Sequence, residues 1–152
     1  MRAVSLVAAV WLSSLTAVAA ADVAAPARVA VRGDRLELAE PIAFDSGKAT
    51  IKPASHALLD EVAKTLAGNG WIELVEVGVH SDERGADAYN LRITDERAAA
   101  IKAYLVAGGV AAARVSARGY GETRPICSEH NEACWAKNRR VELVIVKAAA
   151  HK

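Results

Sequence analysis

The chain reads as one α/β domain, an α+β sandwich with two main helices on one face of a mixed sheet. Three observations predict it. Two stretches, 53–66 and 94–107, carry apolar residues at helical spacing. Short Val- and Ile-rich runs alternate with them, and the longest, 72–80 (IELVEVGVH), has few charges. Gly, Pro or Asn marks most junctions. The order strand–helix–strand–helix–strand–strand then follows, because each half-apolar element needs a partner layer.

The first residues are an address rather than part of that domain. Arg2 precedes an uncharged apolar run at 3–18, and small residues at Ala17–Ala21 fit a cleavage site. That pattern predicts a secretory signal peptide over 1–21, with the mature chain starting near Ala20 or Asp22. No Cys lies near the cleavage site, so no N-terminal lipid is expected. Without Arg2, 18 basic residues face 18 acidic ones, and a neutral balance gives no support for nucleic-acid binding. About 130 residues remain, enough for a real core.

Residues 22–39 read as a lead containing a short hairpin, with Val29–Val31 and Leu36–Leu38 around a Gly33-Asp34 turn. The domain is expected over 40–147, with 148–152 a tail. Ile42-Ala43-Phe44 reads as its opening strand. Pro53 starts a helix whose buried stripe is Leu58, Leu59, Val62, Ala63 and Leu66. Gly68-Asn69-Gly70 ends it with residues that tolerate positive φ. The run 72–80 is expected to be a central strand buried on both faces. A polar loop, 81–92, follows. Thr94 then caps the second helix, with Asp95 and Glu96 in the first turn and Ala98, Ile101 and Leu105 buried. Val115–Ala117 and Arg140–Val146 are the last strands, joined by a loop at 122–137.

Five motifs in this order resemble one family. They are Phe44-Asp45-Ser46-Gly47-Lys48-Ala49, Val79-His80-Ser81-Asp82, Tyr89-Asn90-Leu91-Arg92-Ile93-Thr94-Asp95-Glu96-Arg97-Ala98, Gly119-Tyr120-Gly121-Glu122 and Lys137-Asn138-Arg139-Arg140-Val141-Glu142. The set resembles the OmpA-like C-terminal domain, over roughly 40–147. Val79 stands where the family has Gly, so that backbone must avoid positive φ. The resemblance implies non-covalent binding of peptidoglycan through the diaminopimelate of its peptide stem. It also implies a periplasmic protein, peripheral to the outer membrane and able to meet other envelope proteins.

Position alone brings Asp82, just after the central strand, and Arg97, early in the next helix, to one end of the sheet, where open α/β sheets bind ligands. Diaminopimelate ends in one ammonium and one carboxylate on a single carbon. Arg97 would grip the carboxylate with two N–H groups, helped by the helix N-terminus, and Asp82 would accept from the ammonium. Asn90 and Thr94 would add polar groups, and Arg139 or Arg140 would form the rim. The bland reading of Asp82 and Arg97 is a half-exposed structural salt bridge. His80 and Ser81 are expected to orient the 81–93 loop.

No nucleophile–base set is visible, so catalysis is not expected, nor is a cofactor. Cys127 and Cys134 bracket His130, but no fourth zinc ligand is evident. An exported chain with two Cys favours a disulfide, worth roughly 2–3 kcal/mol for so short a loop. The competing function is a structural or protein-interaction subunit of an envelope complex, with no wall binding.

Overall fold

The structure, a computed structural model, describes residues 26–150, so the expected signal peptide lies outside the described residues. The elements are β1 (Val29–Arg32), β2 (Arg35–Leu38), α1 (His56–Gly68), β3 (Ile72–His80), α2 (Asp87–Ala107), β4 (Val115–Gly121), α3 (Glu132–Asn138) and β5 (Val141–Ala148). The strands form one sheet in the order β1-β2-β5-β3-β4. Only β3 and β4 run parallel, with α2 as their crossover. This is the mixed α/β architecture expected.

Val75, Val77 and Val79 alternate along β3 toward the helices. They meet Leu58, Leu59, Val62 and Leu66 of α1 and Ala98, Ile101 and Leu105 of α2, in one core with Leu36, Val115 and Leu143. β3 is not covered by helices on both faces. On its second face Tyr120 lies over Gly78, where a Cβ would stand 3.1 Å from the ring, and stacks on His80. No helix among the described residues is long and apolar enough to cross a membrane.

Four expectations change. The hairpin is not part of a lead: β2 pairs with β5 at Arg35–Val144 and Leu36–Leu143, and Leu36 is buried. Ile42–Phe44 is not a strand but one side of a tight loop, with a single bridge from Phe44 to Ile51. α1 ends without a left-handed residue, since Gly68 and Gly70 do not have positive φ. Asn69 ends it instead, its amide donating to Thr65 O at 2.8 Å while its Oδ1 accepts from Trp71 Nε1 at 3.0 Å. The loop expected at 122–137 contains α3, capped by Asn131, which accepts from Cys134 N at 2.9 Å.

α2 lies unusually close to β4. A Cβ on Gly119 would stand 2.2 Å from Asp95 N and 2.6 Å from Asp95 Cα, both backbone atoms that cannot move aside. Gly119→Ala is therefore expected to cost about 3 kcal/mol or more. Gly70→Ala, where a Cβ meets nothing within 4 Å, should be near neutral. Urea unfolding midpoints of the two variants test this; equal midpoints would show that the contact is not tight.

Candidate ligand-binding site

β3 delivers Asp82 to the end of the sheet, where Ser81 N–H donates to Gly121 O at 2.9 Å. The Asp82 side chain is only 7% exposed. It accepts from Arg84 Nη2 at 2.8 Å, Arg84 Nε at 3.2 Å, Arg84 N at 3.0 Å and Arg139 Nη1 at 2.7 Å. The Arg84 guanidinium, more than burial opposes, holds the Asp82 carboxyl well below the usual carboxylate range. Asn90, also buried, clips the loop from α2: its amide donates to Asp82 O, Arg84 O and Glu122 Oε2.

Arg97 faces the same cleft from another side. Its Nε donates to Lys48 O at 2.9 Å, and its guanidinium lies 4.9 Å from the centre of the Phe44 ring. No carboxylate among the described residues pairs with it, and burial pushes its pKa below the ordinary arginine value. Gly47, Ser81, Asp82, Asn90, Arg97 and Arg139 together line a cleft of about 140 Å³.

α3 stands behind the Asp82 loop, outside the cleft. Cys127 and Cys134 form a disulfide, with Cα atoms 5.3 Å apart. Asn138 closes the same loop, accepting from Ile126 N and Cys127 N and donating to Cys127 O. Trp135 Nε1 donates to Glu83 at 2.8 Å, His130 meets the same carboxylate at 2.5 Å, and Arg84 lies over the Trp135 ring at 4.4 Å. α3 thereby holds the Asp82 loop from outside. No group of three or more metal-type ligands occurs among the described residues.

Residues 43–139 match the OmpA family. The chain belongs to the OmpA family. It is 41% identical over 100 residues to the peptidoglycan-associated lipoprotein of Pseudomonas aeruginosa, covering 66% of this chain and 58% of that protein. Among solved structures, the peptidoglycan-associated lipoprotein of Burkholderia pseudomallei superposes with a TM-score of 0.62 at 33% identity, over 70% of this chain and 91% of that one. The cell wall anchor of the type VI secretion system of P. aeruginosa gives 0.66 at 29% identity, over 80% and 88%. These relatives are named for association with peptidoglycan or for anchoring to the cell wall.

In this OmpA-family site, several residues do not hold the positions expected of them. α2 begins at Asp87, so Thr94 is not its cap and Arg97 lies almost three turns in, away from the helix N-terminus. Thr94 is fully buried and its hydroxyl is committed, donating to Asn90 O at 2.8 Å and accepting from Gly121 N at 3.0 Å. It joins helix to sheet and offers nothing to a ligand. Asp82 and Arg97 share the cleft without forming the half-exposed pair considered above, because Arg84 and Arg139 occupy the carboxylate. Arg139 pairs directly with Asp82 as well as standing at the rim. Sequence reasoning gave no site role to Phe44, Lys48, Arg84 and Trp135, which only folding brings against Arg97 or the Asp82 loop.

His80 does not hydrogen-bond the loop either. Both ring nitrogens are buried without a hydrogen-bond partner, as is Ser81 Oγ. The ring stacks on Tyr120 with centroids 4.9 Å apart, and Glu142 lies 3.6 Å from Nε2, beyond hydrogen-bond reach. Burial first, then the neighbouring Arg140, lowers its pKa from 6.5 to about 4. The unfolded chain therefore takes up this proton before the folded one does. Stability contributed by neutral His80 is full above pH 6.5 and is lost as pH falls toward about 4. Wild type should lose stability relative to His80→Phe between pH 7 and pH 5, as measured by urea unfolding. Parallel stability–pH curves for the two proteins would contradict this environment for His80.

Proposed function

We infer that this protein binds peptidoglycan non-covalently, through the diaminopimelate of the peptide stem, as an exported periplasmic protein peripheral to the outer membrane. One observation carries the reading. A partly buried arginine with no carboxylate partner among the described residues, Arg97, faces a cleft that also contains a buried carboxylate, Asp82. An unpaired cation beside a buried anion is complementary to a ligand carrying both charges on neighbouring atoms. The names of the peptidoglycan-associated and wall-anchoring relatives support peptidoglycan as the ligand.

The ligand carboxylate replaces water at Arg97, whose Nε is held by Lys48 O and whose plane is held by Phe44. Its two terminal nitrogens are then available for a forked contact that an ammonium cannot reproduce. The ligand ammonium needs acceptor capacity on Asp82, which Arg84 and Arg139 fill. Arg84 is the partner that yields. Its side chain is 51% exposed against 40% for Arg139, and although both meet Glu132, its ion pair there is 3.6 Å long where that of Arg139 is 2.5 Å.

Retention of the mature protein on purified sacculi, competed with free diaminopimelate, tests the reading. Arg97→Ala should weaken retention at least tenfold, the lower end of the about 2–5 kcal/mol lost when a buried charge contact is truncated. Arg97→Lys should fail nearly as badly. Arg84→Gln should tighten binding by about fivefold, since removing an exposed competing cation is worth ~1 kcal/mol. Asp82→Ala is a poor probe, because it strands Arg139 and costs the fold as well. Wild-type retention by folded Arg97→Ala would remove this site from consideration.

A further inference from the structure

α1 and α2 pack against one face of the sheet. By alternation the opposite face carries Gly78 and His80 of β3, Arg118 and Tyr120 of β4, and Glu142 and Val144 of β5. Most of the charge on that face is matched from within. Arg32 pairs with Glu37 at 2.8 Å, and Arg35 and Arg140 both meet Glu142, at 3.5 and 2.9 Å. Glu76 accepts from the Tyr120 hydroxyl.

Arg118 and Arg124 are different. Neither guanidinium has a carboxylate or a hydrogen-bond acceptor among the described residues. Both lie over the Tyr120 ring instead, 4.9 and 4.0 Å from its centre. That ring is itself fixed, being buried and stacked on His80. Two like charges held beside one ring repel each other, and an anion placed between them relieves the repulsion. A guanidinium stacked by its plane keeps its N–H edge for a forked carboxylate contact. Across the sheet, β5 adds apolar surface, with Val144 partly buried and Val146 exposed. Neither arginine lines the Asp82 cleft or the cavity beside it, so this surface is separate from the ligand site.

We propose that this second face of the sheet docks an acidic segment of a partner protein. Its carboxylates meet Arg118 and Arg124, and its apolar side chains cover Val144 and Val146. The inference stands apart from wall binding, and it leaves the Asp82 cleft open while the partner is bound. Charge complementarity selects the occupant: the face has two cations to spare and no carboxylate of its own that reaches them. An anionic membrane is a poorer match. Lipid surfaces are recognised by clusters of about four to eight cations, whereas this chain has a formal net charge of only +1. Arginine and tyrosine are, by contrast, the side chains in which the energy of protein interfaces is concentrated.

Titration calorimetry tests it with two probes, a decapeptide of glutamate and leucine and the same peptide with glutamine for glutamate. Wild type should bind the acidic peptide at least about tenfold more tightly. Arg118→Gln combined with Arg124→Gln should abolish that preference, and Val146→Ser should weaken the acidic peptide about threefold or more. Lys64→Gln, which removes an exposed cation on the helix side, should change neither affinity. Thermal melting checks that each variant is folded, and the single variants Arg118→Gln and Arg124→Gln, each losing part of the preference, serve if the double variant is not. Sacculus retention should be the same for all of them. Equal wild-type affinity for the two peptides, or a preference that survives in the folded arginine variants, overturns the docking surface. So does binding to phosphatidylglycerol vesicles that depends on the two arginines and exceeds binding to the acidic peptide. Loss of sacculus retention with the arginines would assign them to the wall site and overturn it as well.

Discussion

The close contact between α2 and β4 is the constraint on which the site depends. Gly119 lets the helix backbone approach the strand, and Asp95 and Thr94 turn that approach into hydrogen bonds to Gly119 N and Gly121 N. Those bonds satisfy two outward main-chain donors of an edge strand, which would otherwise invite pairing with another chain. They also fix the rotation of α2 about its axis. With Thr94 locked against the sheet, Arg97 is carried around to the cleft and Asn90 to the Asp82 loop. The two polar residues that look like ligand groups are thus the fasteners that aim the ligand group.

The charges of the site are distributed unevenly. Asp82 has two guanidinium partners, and Arg97 has no carboxylate partner among the described residues. A buried carboxylate is tolerated only because it is fully hydrogen-bonded, and here the bonding comes from residues of different mobility. Arg139 follows α3 and meets Glu132 at 2.5 Å, whereas Arg84 reaches in from the loop after β3, rests on Trp135 and meets Glu132 only at 3.6 Å. The free state is therefore electrostatically satisfied at Asp82 and unsatisfied at Arg97. On the proposed reading, the anionic end of a zwitterion enters first at Arg97 and the ammonium then displaces one guanidinium at Asp82.

The disulfide belongs to this arrangement through α3 rather than through any ligand. A seven-residue helix has little stability of its own. Here it is held at its start by the Asn131 cap and the Cys127–Cys134 bridge, and at its end by Asn138 bonding back to the Cys127 main chain. That anchorage carries Glu132, Trp135 and Arg139 to the outside of the Asp82 loop.

The sequence by itself determined the strongly periodic parts. The apolar stripe of α1, the nine-residue strand 72–80 and the Gly33-Asp34 turn were legible because burial there falls on apolar side chains at a regular spacing, and the family motifs placed Asp82 and Arg97 in one site. Tertiary structure decided the rest. The first two turns of α2 show no apolar period: their sheet-facing positions include Asn90 and Thr94, while Tyr89 and Leu91 are exposed, so the stretch reads as a loop. The hairpin's place in the sheet depends on pairing with β5, more than a hundred residues away, which no local pattern encodes. The partners of Asp82 were equally hidden. Arg84 and Arg139 are ordinary charged residues in the sequence, and it is loop closure against α3 that makes them its counter-ions, in place of the arginine that spacing along the chain suggested.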